Sequence, residues 1–206
     1  MTDLKHKKMA SNNSVQPAEN QIENFDAVYR REMELRQELE KVEIAYVKTV
    51  EKYGEYGECK AFLEYLRTIE KVFMEAKFRN WDAERNKDEL IKTKIRMIAE
   101  ASSVSEDVLN SIYADFKKSG ATVGKIYEIV NQLIEKYGSN PECAELILYI
   151  QYLSINFDEA EREKFSMEEL KDRLVRARME VLSSDGNPEL ITLENIYKEF
   201  KGLLNS

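Results

Sequence analysis

From about Asn24 to Tyr53, apolar side chains recur in steps of three and four: Phe25, Val28, Leu35, Leu39, Val42, Tyr46 and Val50. That period puts them on one stripe of an α-helix, and such a stripe has to bury against something. Gly54 closes the segment, where a glycine can take the left-handed backbone that other residues resist. A second helix is predicted from Glu58 to Lys77, with Phe62, Leu66, Ile69 and Phe73 as its stripe. Phe78 to Asn86, which holds the single tryptophan Trp81, reads as a turn or short connector. A third helix, about Lys87 to Ala101, carries Ile91, Ile95 and Ile98 on one face.

Start and stop signals divide the rest of the chain. Ser103 to Glu106 has the spacing of a capping box, in which a hydroxyl and a carboxylate satisfy the first free N–H groups of a helix. The fourth helix then shows Val108, Ile112 and Phe116, with Leu109 and Tyr113, and Gly120 stops it. Thr122 caps a fifth helix with the stripe Val123, Ile126, Tyr127, Val130, Leu133, Ile134 and Tyr137, ended by Gly138. Asn140-Pro141 pairs an N-cap with proline at the first helical position, where the missing N–H is harmless. The sixth helix, to about Ile155, is apolar on most sides, which suits the middle of a stack. Ser166 to Glu169 is a second capping box, opening a helix with Leu170, Leu174, Ala177 and Val181. Asn187-Pro188 repeats the cap-plus-proline signal before Leu190, Leu193, Ile196, Tyr197, Phe200 and Leu203.

Alternating helices and short loops, with no strand pattern, predict an all-α fold. Its expected form is antiparallel helix pairs stacked as a tetratricopeptide-like α-solenoid of about eight helices over residues 23–206. Residues 1–22 are polar, lack periodicity and read as a disordered tail. An internal echo supports repetition. Glu51-Lys52-Tyr53-Gly54 recurs as Glu135-Lys136-Tyr137-Gly138, and Glu58-Cys59 recurs as Glu142-Cys143 at the same offset of 84.

Composition narrows the chemistry. The net charge of −8 disfavours nucleic acid and anionic membrane as partners. No apolar run approaches the ~18–20 residues that span a bilayer, and the first residues lack a signal-peptide core, so an intracellular protein is expected. The only two cysteines, Cys59 and Cys143, sit in apolar helical patterns and read as free buried thiols. His6 is the sole histidine and lies in the tail, which removes a histidine base or metal site from the fold. There is no glycine-rich phosphate loop. Acidic clusters such as Glu159, Glu161 and Glu163 read as a solvated helix face. No catalytic residue, metal or cofactor is expected.

The middle of the chain resembles the N-terminal helical domain of the Mad/Bub spindle-checkpoint proteins. Val72-Phe73 looks like that family's Phe-ended helix, and Phe78-Arg79-Asn80-Trp81-Asp82 like its connector. Asp107 to Phe116 is similar to its short aromatic helix, and Gly120-Ala121-Thr122-Val123 stands at its glycine turn. Ile126-Tyr127-Glu128 resembles its Phe-Tyr-Glu motif, and Pro188 to Phe200 its last helix. The early tryptophans of the family are absent, with Glu43 and Thr49 near their places. The Lys-Glu-Asn box, by which members bind the activator of the anaphase-promoting complex, is missing too, and no kinase domain is present. The resemblance implies a non-enzymatic checkpoint adaptor of the nucleus and kinetochore, with an amphipathic peptide of a kinetochore scaffold lying in a helical groove. The alternative is a half-a-tetratricopeptide scaffold of an RNA-processing complex. For groove binding, helix-face position selects Tyr113, Phe116, Tyr127 and Val130; the same spacing also suits core positions.

Overall fold

A computed structural model describes residues 18–55, 57–118, 123–184 and 188–206, with the side chains of 18–26 and 123 outside the description. The described residues form eight helices: α1 (Ala18–Tyr53), α2 (Gly57–Arg79), α3 (Ala83–Ala101), α4 (Glu106–Lys118), α5 (Val123–Tyr137), α6 (Pro141–Glu163), α7 (Met167–Leu182) and α8 (Leu190–Leu204). The described residues up to Glu34 form one unit and those from Leu35 onward another. The all-α stack expected from the sequence is present. Helix α1 starts at Ala18, so Ala18 to Ile22 are helical where a tail was expected. The remainder of the expected tail, His6 included, lies outside the described residues, as do Gly120, Thr122 and Asn187.

The apolar stripes bury as amphipathicity demands. Phe62, Leu66 and Ile69 of α2, Ile91 and Ile95 of α3, and Leu193, Ile196 and Phe200 of α8 all lie in one core. Helix α6 contributes Leu146, Ile147, Ile150 and Leu153 and packs against α3, α4, α5 and α7. Some stripe positions turn out exposed: Val28, Val108, Val181 and Leu190. In α7 the buried residues are Leu170, Lys171, Leu174, Val175 and Met179. The face is thus rotated relative to the expected Leu170-Leu174-Ala177-Val181 line.

Caps show why the boundaries fall where they do. Asn140 Oδ1 accepts from the N–H groups of Glu142 and Cys143 at 2.9 and 3.1 Å, with Pro141 in the first turn. Ser166 and Glu169 form the full capping box. The other box is displaced: α4 begins at Glu106, and Ser105 Oγ, not Ser103, receives the Val108 N–H. Pro188 is buried ahead of α8, whose N-cap is Glu189 with no side-chain bond. The expected connector Phe78–Asn86 shrinks to Asn80-Trp81-Asp82, because Asp82 caps α3 through Arg85 N–H. At Gly54 neither a left-handed φ nor flexibility is the requirement. A Cβ there would sit 2.5 Å from the Val50 carbonyl oxygen.

The echo in the sequence extends to an internal structural repeat that leaves only the first part of α1 without a counterpart. Helices α2, α3 and α4 start at residues 57, 83 and 106, and α6, α7 and α8 start 84 positions later; α1 and α5 end 84 apart. Local detail follows the same offset. Asn80 and Lys164 both have positive φ, 52° and 57°. Behind each, an N–H reaches five residues back, Trp81 to Ala76 and Phe165 to Ala160, the pattern of a Schellman end. Asp82 and Ser166 are the two N-caps. A Cβ on Gly138 would meet Ile134 O at 2.5 Å, as on Gly54 with Val50.

The two four-helix copies face each other across a pseudo-twofold axis. Lys94 lies over the Tyr149 ring, and its counterpart Arg178 lies over Tyr65, the counterpart of Tyr149, at 5.7 and 5.8 Å. Exchanged contacts of this kind arise only when the operation relating the copies returns to its start after two steps. Phe73 touches its own counterpart Phe157, ring centres 6.5 Å apart, as a residue beside the axis must. Closure is also visible at the ends. Lys136 and Tyr137 of α5 bond Asp115 of α4 at 2.7 and 2.9 Å. Lys52 and Tyr53 of α1 bond Glu199 of α8, the residue equivalent to Asp115, at 2.5 and 2.8 Å.

Candidate protein-binding face

Of the four residues selected from the sequence, three are structural. Tyr113 and Phe116 on α4 and Val130 on α5 belong to the buried core. Tyr113 donates its hydroxyl hydrogen to Asp88, which also accepts from Lys117 at 2.9 Å. The same triad recurs as Tyr197, Asp172 and Lys201, with Lys201 Nζ at 3.1 Å. Burial and the neighbouring carboxylate raise both tyrosine pKa values. Burial works to raise Asp88 and Asp172, but the tyrosine and lysine hydrogen bonds outweigh it and hold both carboxyls below the ordinary range. These triads staple α3 to α4 and α7 to α8.

Tyr127 is different: 59% of it is exposed, on the outward side of α5. Leu148, on the neighbouring α6, is 54% exposed. Ile155 and Gln151 on α6 are half-buried. Their proximity follows from the duplicated copy. The residues 84 positions earlier are Glu43, Tyr46, Glu64, Arg67 and Lys71, which contact one another directly. Glu43 bonds Lys71 and lies 3.8 Å from Arg67, Arg67 stacks on Tyr46, and Tyr46 reaches Glu64 at 3.5 Å. By the same packing, Tyr127, Leu148, Gln151 and Ile155 hold the equivalent positions on α5 and α6, with Val130, the counterpart of Tyr46, buried in the core. The sequence pointed to Tyr127 but missed Leu148 and Ile155. Within an almost uniformly apolar helix, nothing in the sequence separates the outward residues from the inward ones.

Reactive groups are muted. Cys59 and Cys143 are buried free thiols, and burial, with Glu58 or Glu142 nearby, raises their pKa values, which favours the unreactive thiol. Among the described residues no group of histidine, cysteine or carboxylate side chains could hold a metal ion, and no helix is long and apolar enough to cross a membrane. A cleft of about 630 Å³ lies between α7 and α8. Met179, Leu190 and Tyr197 line it together with three carboxylates and three cations, Asp172, Glu180 and Glu194 against Arg176, Lys198 and Lys201. Comparison with protein-family models, with curated proteins and with solved structures finds no match to this chain.

Proposed function

We propose that the chain is a non-enzymatic adaptor that binds a helical segment of a protein partner on the α5–α6 face. The observation that carries this reading is the exposure of Tyr127 and Leu148 on two helices packed against each other. Large apolar side chains grouped at the surface mark interaction sites more often than solitary ones do. A ridge between two rigid helices suits a third helix laid across it, whose anchors recur every three or four residues. The absence of a histidine base outside the segment before Ala18 and the protonated, buried thiols are in keeping with a role in binding.

For the cellular setting, the resemblance between Glu38 and Leu204 and the checkpoint proteins supports a spindle-checkpoint adaptor that docks a kinetochore scaffold peptide. Tyr127 stands within the Ile126-Tyr127-Glu128 motif of that resemblance. The 84-residue unit contains four helices, about 42 residues per helix pair, which is longer than the ~34 of a tetratricopeptide repeat. The checkpoint setting therefore rests on the motifs and not on the period. The test is the full chain carrying a photo-crosslinking residue at 127, expressed in its own cells, with the cross-linked peptide sequenced. The reading expects a helical kinetochore-scaffold segment. RNA-processing proteins would sink the checkpoint setting, and capture no greater than from a crosslinker at exposed Lys60 would sink the face itself.

A further inference from the structure

The pseudo-twofold gives the molecule an internal control: two faces built on the same backbone, α1–α2 and α5–α6, whose side chains have diverged. On the first face Glu43, Glu64, Arg67 and Lys71 neutralise one another. On the second, Tyr127 replaces Glu43, Leu148 replaces Glu64, and Gln151 and Ile155 replace the two cations. Nothing in the fold required this. Several core pairs keep their apolar character, as Leu109 and Leu193, Ile112 and Ile196, and Phe116 and Phe200 do, whereas buried Thr49 and Asn86 stand opposite Leu133 and Leu170. An exposed Tyr and Leu in place of two carboxylates expose apolar area to water, which costs solubility and contributes nothing to the core.

The surrounding charge diverged as well. Residues 39–79, spanning the end of α1 and all of α2, carry eight carboxylates and eight cations. Residues 123–163, the matching α5–α6 stretch, carry eight carboxylates and three cations. Glu145 and Glu159 find cations on other helices, Lys94 at 2.6 Å and Arg173 at 2.8 Å. Exposed Glu128 follows Tyr127 directly, and half-buried Glu142 precedes Leu148 by about two turns. An apolar ridge bordered by surplus negative charge selects against acidic partners and draws in basic ones.

We infer that the α5–α6 face takes a single amphipathic helix whose apolar anchors are flanked by lysine or arginine, and that α1–α2, its twofold mate, does not. One helix binds per chain although the fold offers two equivalent places. This rests on the proposed adaptor reading and specifies its partner.

The test is titration calorimetry of the full chain with two synthetic helical peptides of about eighteen residues. Both carry leucines at helical spacing; one has lysines and the other glutamates on the flanks. The lysine peptide binds one to one, weakens as salt rises, and binds at least about tenfold more tightly than the glutamate peptide. Tyr127→Glu with Leu148→Glu abolishes that binding with the circular dichroism spectrum unchanged, since both residues are exposed. Glu43→Tyr with Glu64→Leu, Arg67→Gln and Lys71→Ile, made in the native chain, adds a second site. Equal affinity for the two peptides overturns the basic-partner inference, while loss of both in the Tyr127/Leu148 variant leaves the face itself standing. Binding that survives that variant, a native stoichiometry of two, or no binding of either peptide overturns the inference outright; crosslinking from position 127 then judges the adaptor reading on its own.

Discussion

Lys171 and Glu70 form an ion pair between α7 and α2 with Nζ–Oε2 2.8 Å, and only 6% and 3% of the residues are exposed. The second Glu70 oxygen, Oε1, has no partner. Burial raises the Glu70 pKa despite the pull of Lys171. Burial works against the Lys171 ammonium, yet the Glu70 and Glu168 carboxylates outweigh it and its pKa is raised. Replacing Lys171 with Met keeps most of the packing volume and leaves a buried carboxylate alone, a loss of about 3–5 kcal/mol. Glu70→Gln is milder: the amide oxygen still accepts from Lys171, whose charge keeps Glu168 at 3.0 Å. Its cost is about 1 kcal/mol. The twofold mate supports this ordering, since Ser154 stands where Glu70 would be and Lys87 still pairs with Glu84 at 2.7 Å. The sign with pH follows from the raised carboxyl. A folded-state pKa above the unfolded value means stability from this group is present below the ordinary value of 4.5 and lost as pH rises through the raised one. Removing Lys171 raises it further, so the deficit of Lys171→Met is greatest near neutrality and shrinks as the pH falls toward 4.5. Urea unfolding of both variants across that range is the assay. A Lys171→Met variant within about 1 kcal/mol of the parent at neutral pH, or one less damaged than Glu70→Gln, refutes the reasoning.

Three further outcomes follow from the same geometry. Tyr113→Phe and Tyr197→Phe each remove a hydroxyl bonded to an aspartate, and each lowers unfolding free energy by about 1 kcal/mol; chemical denaturation should find the two losses equal within about 0.5 kcal/mol. Gly54→Ala and Gly138→Ala drive a methyl against a carbonyl oxygen 2.5 Å away, and thermal melts should show matched destabilisation of about 1–3 kcal/mol. Tyr127→Ala leaves stability within about 0.5 kcal/mol while weakening partner binding, whereas Phe116→Ala costs about 3–5 kcal/mol and impairs binding only by unfolding the domain. A circular dichroism melt beside each binding assay separates the two.

Helix existence was legible because burying one stripe imposes a three-to-four period, and Asn140 and Ser166 announced their caps directly. Stripe rotation was less so. Val181 lies at nearly the same angle round α7 as buried Leu170 and Leu174 but in the last turn, where it is exposed, while Val175, about 120° away, is buried. The duplication could be glimpsed in Glu-Lys-Tyr-Gly and its repeat. Its extent depended on contacts such as Asp88 with Tyr113 and Asp172 with Tyr197, which no run of neighbouring residues displays. The binding face was half legible. Tyr127 was singled out, but its neighbour Leu148 hid in a helix read as interior, and Tyr113, Phe116 and Val130 share the spacing of contact residues while serving the core.

The most direct measurement is an NMR titration of the isotope-labelled full chain with the lysine-flanked helical peptide. Amide shifts should concentrate at Tyr127, Leu148 and Ile155 and leave Glu43, Glu64 and Lys71 unmoved. Comparable shifts on both twofold-related faces, or shifts centred on the α7–α8 cleft around Arg176 and Lys198, would contradict the account.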